Sequence, residues 1–330
     1  MAVASPRPWD AFLDRFAPAR RGAIIYVAAG LVFVATDSLT KSLVANLPVV
    51  HVVFGRHLAY LGAMIVIAGG RHPRRLLATG RPWTQLARGL AAFGATTTFF
   101  FALSLLPMAE VSTLSSTTPL IVIGLAGPLL GERISRFAIV GSVVGFAGVV
   151  TLVGLDPSQL NAAMLVPLGT ALSFALFSML TRELHHEPAD VTVFCSGLVG
   201  LAAAFVMELV VATPSTPTLP EWGAIGIVGL AALTGHRMLV AAYRWGRASD
   251  MAPLGYLSLV WSFLIGSFVF GEAVQPRALV GAMAIATGGV VTLRSAPPGE
   301  ELPPASVDYG GPVDLDEGDD PDSGGPVLTA

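Results

Sequence analysis

Ten times between residues 23 and 294 the chain runs for about 20 residues on mostly apolar side chains, and this repetition constrains the fold most. A helix rises about 1.5 Å per residue, so each run crosses a hydrocarbon layer with its backbone groups paired internally. The runs are 23–43, 49–69, 86–106, 110–130, 137–155, 163–182, 191–212, 223–243, 250–270 and 278–294. Composition agrees: 53% of residues are hydrophobic, 12% are charged and mean hydropathy is +0.70, against about 25% charged in soluble globular chains. The expectation is an all-α membrane protein with ten transmembrane helices.

The basic residues assign the sides. Arg7, Arg15, Arg20 and Arg21 precede the first run, and Arg71, Arg74, Arg75, Arg81 and Arg88, the last at the very edge of the third run, are counted with the connection between the second and third. Arg133, Arg136, Arg182, Arg244, Arg247 and Arg294 fall at ends on the same side, leaving only Arg277 opposite. Both termini are therefore expected in the cytoplasm, with the chain multi-pass in the inner (plasma) membrane.

Residues 1–21 form a cytoplasmic segment in which Trp9, Phe12, Leu13 and Phe16 have the spacing of one helix face. That suits a short surface helix or an unstructured leader. Asp10 and Asp14 argue against a cleavable signal peptide. Residues 295–330 carry nine of the twenty-two acids among Pro and Gly, the composition of a disordered cytoplasmic tail. Cys195 is the single cysteine, so no internal disulfide forms.

A register of 140 residues links the two halves. "GERIS" at 131–135 matches "GEAVQ" at 271–275, Val53-Phe54 matches Val193-Phe194, and Gly141 and Gly148 match Gly281 and Gly288. The predicted units are 22–156 and 157–294, each of five helices. Five is odd, so the second unit enters the membrane from the opposite face, giving inverted repeats able to rock about a midplane site.

Charged groups inside apolar runs cost at least ~2.5–3.5 kcal/mol at mid-bilayer and so mark the bundle interior or water. Asp37 and Lys41 stand one helical turn apart, either as a self-neutralising pair or as solute and proton groups. Arg56 lies about two turns in from the external surface, with Tyr60 on its face, either as a clamp on helix-end carbonyls or as a solute contact. In "LTGHRMLVAAY", His236 and Arg237 sit deep in the eighth run, and the counterpart of Arg237 is Thr97. Arg237 reads as an anion-binding group or as an internal salt-bridge partner. Thr118, Tyr256 and Trp261 complete the solute-contact candidates. Asp37, Glu208 and His236 are the proton-coupling candidates, Glu208 having no obvious local partner. Pro119 and Pro253 are expected to bend their helices. Lys41, Arg56 and Arg237 against Asp37 and Glu208 favour an anionic or zwitterionic solute. Glycines in "GSVVG" (141–145) allow close helix approach, inside the protomer or in a possible homodimer.

"AEVSTLSSTTPLIVIGLAGPLLGERIS" and "GHRMLVAAYRWGRASDMAPLGYLSLVWSFLIGSFVFGE" resemble the drug/metabolite transporter superfamily, EamA-type, over roughly residues 23 to 294. The resemblance reaches Arg56, Pro119, Glu132, Gly235, His236, Tyr256, Trp261 and Glu272, and implies structural roles for Glu132 and Glu272 at helix ends. It implies a secondary carrier of amino acids, vitamins, metallophores or related metabolites. Arg237 departs from the pattern, as does Leu259 where Pro119 would repeat. No "GxxxxGK[ST]" occurs, so nucleotide hydrolysis is not expected to drive it. No metal set, cofactor motif or nucleophile triad is present in the pattern. The expected partners are the bilayer and a small solute, not nucleic acid. The alternatives are a non-transporting sensor or helper subunit, or a membrane-embedded enzyme.

Overall fold

The computed structural model describes residues 18–68, 76–106, 108–153, 162–211, 216–261, 264 and 276–293, and every element it describes is helical. The first half supplies α1 (Pro18–Val44), α2 (Val49–Ala68), α3 (Pro82–Leu105), α4 (Met108–Ser115), α5 (Thr118–Leu130) and α6 (Arg136–Val153). The second supplies α7 (Leu165–Glu183), α8 (Ala189–Val210), α9 (Leu219–Trp245), α10 (Ala248–Met251) and α11 (Pro276–Leu293), with 3₁₀ turns at Ala162–Met164 and Ala252–Tyr256. Among the described residues seven helices are long and apolar enough to cross a membrane, and Arg136–Leu152 and Leu279–Thr292 are shorter apolar helices. The surface helix expected around Trp9, the Glu272 helix end and the acidic tail lie outside the described residues.

Glycine sets where the halves meet most closely. A methyl group on Gly148 would sit 2.8 Å from the Gly281 carbonyl oxygen, and one on Gly141 would sit 2.6 Å from that of Gly288. Backbone therefore touches backbone along α6 and α11. Rising residue numbers on one helix meet falling numbers on the other, so the two run antiparallel. Each glycine packs against the counterpart of the other, 140 residues on. The remaining contacts between the halves also come in matched sets. The packing of α1 on α9 repeats as α7 on α3, that of α2 on α9 repeats as α8 on α3, and α2 packs on its own counterpart α8.

The fourth apolar run is not one continuous helix. It breaks at Ser116-Thr117, between α4 and α5. Pro119 has no N–H to offer the Ser115 carbonyl four residues back. The Thr118 hydroxyl takes over and donates to that carbonyl at 2.8 Å, while Thr117 Oγ1 donates to Leu114 O, also at 2.8 Å. Local hydroxyls thus satisfy the freed backbone, which a bilayer requires. The second half breaks in the matching register, with α10 and the 3₁₀ turn preceding the helical residues 257–261. α5 ends at Gly131, whose φ of +66° suits glycine and lets the chain turn away. Glu132 follows, accepting from Ala248 N (3.1 Å), Ser249 N (3.1 Å) and Ser249 Oγ (2.7 Å), which ties this turn to the start of α10.

Candidate functional site

The two broken helices converge on a cavity of about 250 Å³ between the halves. Ser112, Ser115, Ser116, Thr118 and Pro119 line it from the first half, and Ala252, Gly255, Tyr256 and Ser258 line it from the second. Interrupted helices at matching positions of two repeats are where carriers place their sites, because only a cavity wall tolerates irregular backbone at membrane depth.

Two ionisable groups of opposite sign face this space. Asp37 arrives on α1 and Arg56 on α2, and both line the cavity. Arg56 NH1 donates to Thr96 Oγ1 at 3.1 Å, and its guanidinium carbon lies 6.0 Å from the centre of the Phe100 ring. Its Nε has no hydrogen-bond partner among the described residues. Asp37 and Arg56 lie in each other's field, yet among the described residues they form no ion pair. A buried charge of either sign alone is costly. Placed across one space, each offsets the other while keeping hydrogen-bonding capacity for a third party.

Apolar rings supply the remaining wall: Phe33, Phe99, Phe100, Phe174, Phe177 and Tyr26. His236 closes one end. It is buried on α9, its ring packs 5.3 to 5.5 Å from those of Phe33, Tyr60 and Phe177, and its Nδ1 meets the Tyr60 hydroxyl at 3.3 Å. Gly235 beside it lies against the edge of Phe33, where any Cβ would sit 2.8 Å from the ring.

Of the solute-contact candidates, Asp37, Arg56, Thr118, Tyr256 and His236 share the cavity, and Pro119 joins them. Four others do not line it. Arg237 turns to Asp190 at the start of α8, with NH1 2.8 Å from Oδ1, and takes the internal ion-pair role that was its alternative. Lys41 is exposed in the last turn of α1 and is not paired with Asp37. Thr97 is rotated off the wall, and its neighbour Thr96 takes the place beside Arg56. Trp261 also lies outside the lining. Glu208 has a partner after all: His51 Nδ1 approaches its Oε1 at 2.6 Å across α2 and α8. Arg88, read from sequence as a connecting-segment residue, lies wholly buried inside α3. Sequence reasoning missed Thr96 and the phenylalanines; the signal for Thr96 and Phe99 was the α3 stripe 92, 95, 96, 99, which recurs at helical spacing, whereas Phe33, Phe174 and Phe177 lie on α1 and α7 and carried no such signal.

Among the described residues, the ion pairs between the halves lie toward the two ends of the bundle. At one end Arg81 NH1 meets Glu183 Oε1 (2.9 Å), and Arg182 Nε lies 3.7 Å from Glu132 Oε1. At the other stands His51–Glu208. In the turn after α7, burial and the cations Arg182 and Arg244 push His185 down to about 4, so it is neutral at physiological pH.

Residues 20–154 and 161–294 each match a family model described as the EamA-like transporter family. Over 218 residues the chain is 28% identical to the S-adenosylmethionine uptake transporter of Rickettsia bellii (strain RML369-C), covering 64% of this chain and 72% of that one. It is 24% identical over 279 residues to the pseudopaline exporter CntI of Pseudomonas aeruginosa (strain UCBPP-PA14), covering 84% and 97%. It is 27% identical over 242 residues to the aromatic amino acid exporter YddG of Ancylobacter novellus, covering 69% and 82%. A solved crystal structure at 22% identity shares the fold, with a TM-score of 0.69 over 83% of this chain and 97% of that one.

Proposed function

Because this chain belongs to the EamA-like transporter family, we propose that it carries a small zwitterionic metabolite by alternating access, without nucleotide hydrolysis. It is a multi-pass membrane transporter of small molecules and not an enzyme, as its relatives are named. Ten helices cross the inner membrane as inverted repeats, both termini in the cytoplasm. The antiparallel α6–α11 pair, whose members are repeat counterparts, supports the inversion.

The observation that carries the substrate class is the unpaired juxtaposition of Asp37 and Arg56 on one cavity. With Arg237, Lys41 and Glu208 held elsewhere, the positive excess read from sequence disappears, and one acid faces one guanidinium. A solute bearing an ammonium and a carboxylate satisfies both. The phenylalanine wall suits an apolar or aromatic body, and a relative named as an aromatic amino acid exporter points the same way. Asp37 and His236 remain as proton-coupling groups.

Thermal shift with three probes tests the class. L-Phenylalanine is expected to raise Tm, by the linkage of binding to stability, while phenylalaninamide and N-acetylphenylalanine each lose the effect at equal concentration. Equal shifts from all three would refute a zwitterion site. Uptake of L-phenylalanine into proteoliposomes, with and without an imposed pH gradient, tests the coupling. A rate indifferent to the gradient eliminates it.

A further inference from the structure

Arg88 is the largest side chain wholly buried in the described protein, and the cavity does not use it. Its Nε donates to Thr181 Oγ1 at 2.7 Å, and its NH1 donates to Thr192 O at 3.1 Å and to Ser196 Oγ. NH2 is buried with no hydrogen-bond partner among the described residues. Among the described residues no carboxylate pairs with it, and the titratable groups in its field are Tyr60, Cys195 and His236. Hydroxyls and a carbonyl do not require a cation as donor. One turn earlier Gln85 Nε2 reaches Thr192 Oγ1 at 3.3 Å as a neutral amide. A buried, uncompensated charge costs several kcal/mol, so its retention calls for a partner that needs charge.

Its position says which partner. Arg88 begins the α3 stripe that continues through Ala92, Ala95, Thr96 and Phe99 into the cavity wall. Thr96, the partner of Arg56, is eight residues further on, about 12 Å along the helix. Phe177 joins the two: it lines the cavity, and the Arg88 guanidinium carbon lies 4.6 Å from its ring centre. His236 packs against that same ring.

We propose that Arg88 is a second carboxylate-binding station, behind the Phe177–His236 partition on the cytoplasmic side, which takes the anionic group of the solute from Arg56 as the halves rearrange. This rests on the carrier reading above. NH2 is the atom left for the incoming carboxylate, and motion of Phe177 opens the way.

Two measurements on the full chain test it. In proteoliposomes, Arg88→Gln is expected to keep the affinity for L-phenylalanine within about twofold, because Arg56 and Asp37 are intact, while exchange falls at least tenfold; Arg88→Lys restores part of the rate. Wild-type exchange in the glutamine variant, or parallel loss of affinity and rate with no rescue by lysine, overturns the proposal. The second measurement needs no variant and no known solute. p-Sulfophenylglyoxal, a charged, membrane-impermeant reagent for accessible guanidinium groups, is applied to wild-type membranes from either side, and Arg88 is followed by peptide mass spectrometry. The proposal requires modification from the cytoplasmic side. An Arg88 that stays unmodified from that side overturns it. A wild-type protein whose Tm L-phenylalanine does not shift refutes the solute class instead, and the labelling still judges Arg88.

Discussion

The halves of this protein meet along two surfaces of opposite construction. Along α6 and α11 glycine backbones touch, and a methyl group at Gly148 or Gly281 finds no room. Around the cavity, large rings, hydroxyls and two opposed charges face each other across open space. Close backbone packing resists separation because any displacement forfeits many contacts at once. A surface of hydrogen-bonding groups around a space gives up less when it shifts. In the alternating-access reading proposed above, the first surface is the fixed part and the second the moving part.

The largest effect should come from the fixed surface. Gly148→Leu has nowhere to place its side chain, and overpacking of this kind costs about 3 kcal/mol or more. The expected outcome is loss of folded, monodisperse protein by size-exclusion chromatography in detergent. A variant that folds with unchanged Tm would erase the contrast. Next come the cavity charges: Asp37→Asn and Arg56→Gln should each weaken L-phenylalanine binding about 10- to 100-fold, or ~1.4–2.8 kcal/mol, and should lower the Tm without solute, because the charge left behind loses its counterpart. Titration calorimetry checks the first half of that statement and differential scanning fluorimetry the second.

Glu132→Gln removes a carboxylate that accepts from two backbone amides and a hydroxyl at the start of α10. The amide nitrogen of glutamine would face donors, and a loss of about 2 kcal/mol in stability is expected from scanning fluorimetry. The smallest effect belongs to Arg81→Ala. Its pair with Glu183 is half exposed, so stability should change by less than about 0.5 kcal/mol.

The sequence shows the frame of this arrangement more clearly than its contents. Apolar length and the 140-residue register place α1, α2, α3, α8 and α9 within a few residues, because both are properties of the chain alone. Pro119 signals the break in the fourth run for the same reason: a missing N–H is local. What stays hidden is rotation. Successive helical residues point about 100° apart, so Thr97 and Thr96 are indistinguishable by depth, yet only Thr96 reaches Arg56. Partners brought together across the bundle are equally hidden. Asp190 lies 47 positions before Arg237, and Glu208 is 157 beyond His51, distances that only the packing of α8 against its neighbours closes. Arg88 was legible as a charge at the edge of an apolar run, and the charge bias between connecting segments assigned it to the wrong side of that edge.

Access to the cavity wall from each face of the membrane tests the account most directly. Thr96→Cys in a Cys195→Ala background places one thiol beside Arg56, and a membrane-impermeant methanethiosulfonate is applied to right-side-out and to inside-out vesicles. Labelling from both sides, slowed in each case by L-phenylalanine, is the predicted result. A thiol reached from one side alone, whatever the solute, would contradict alternating access.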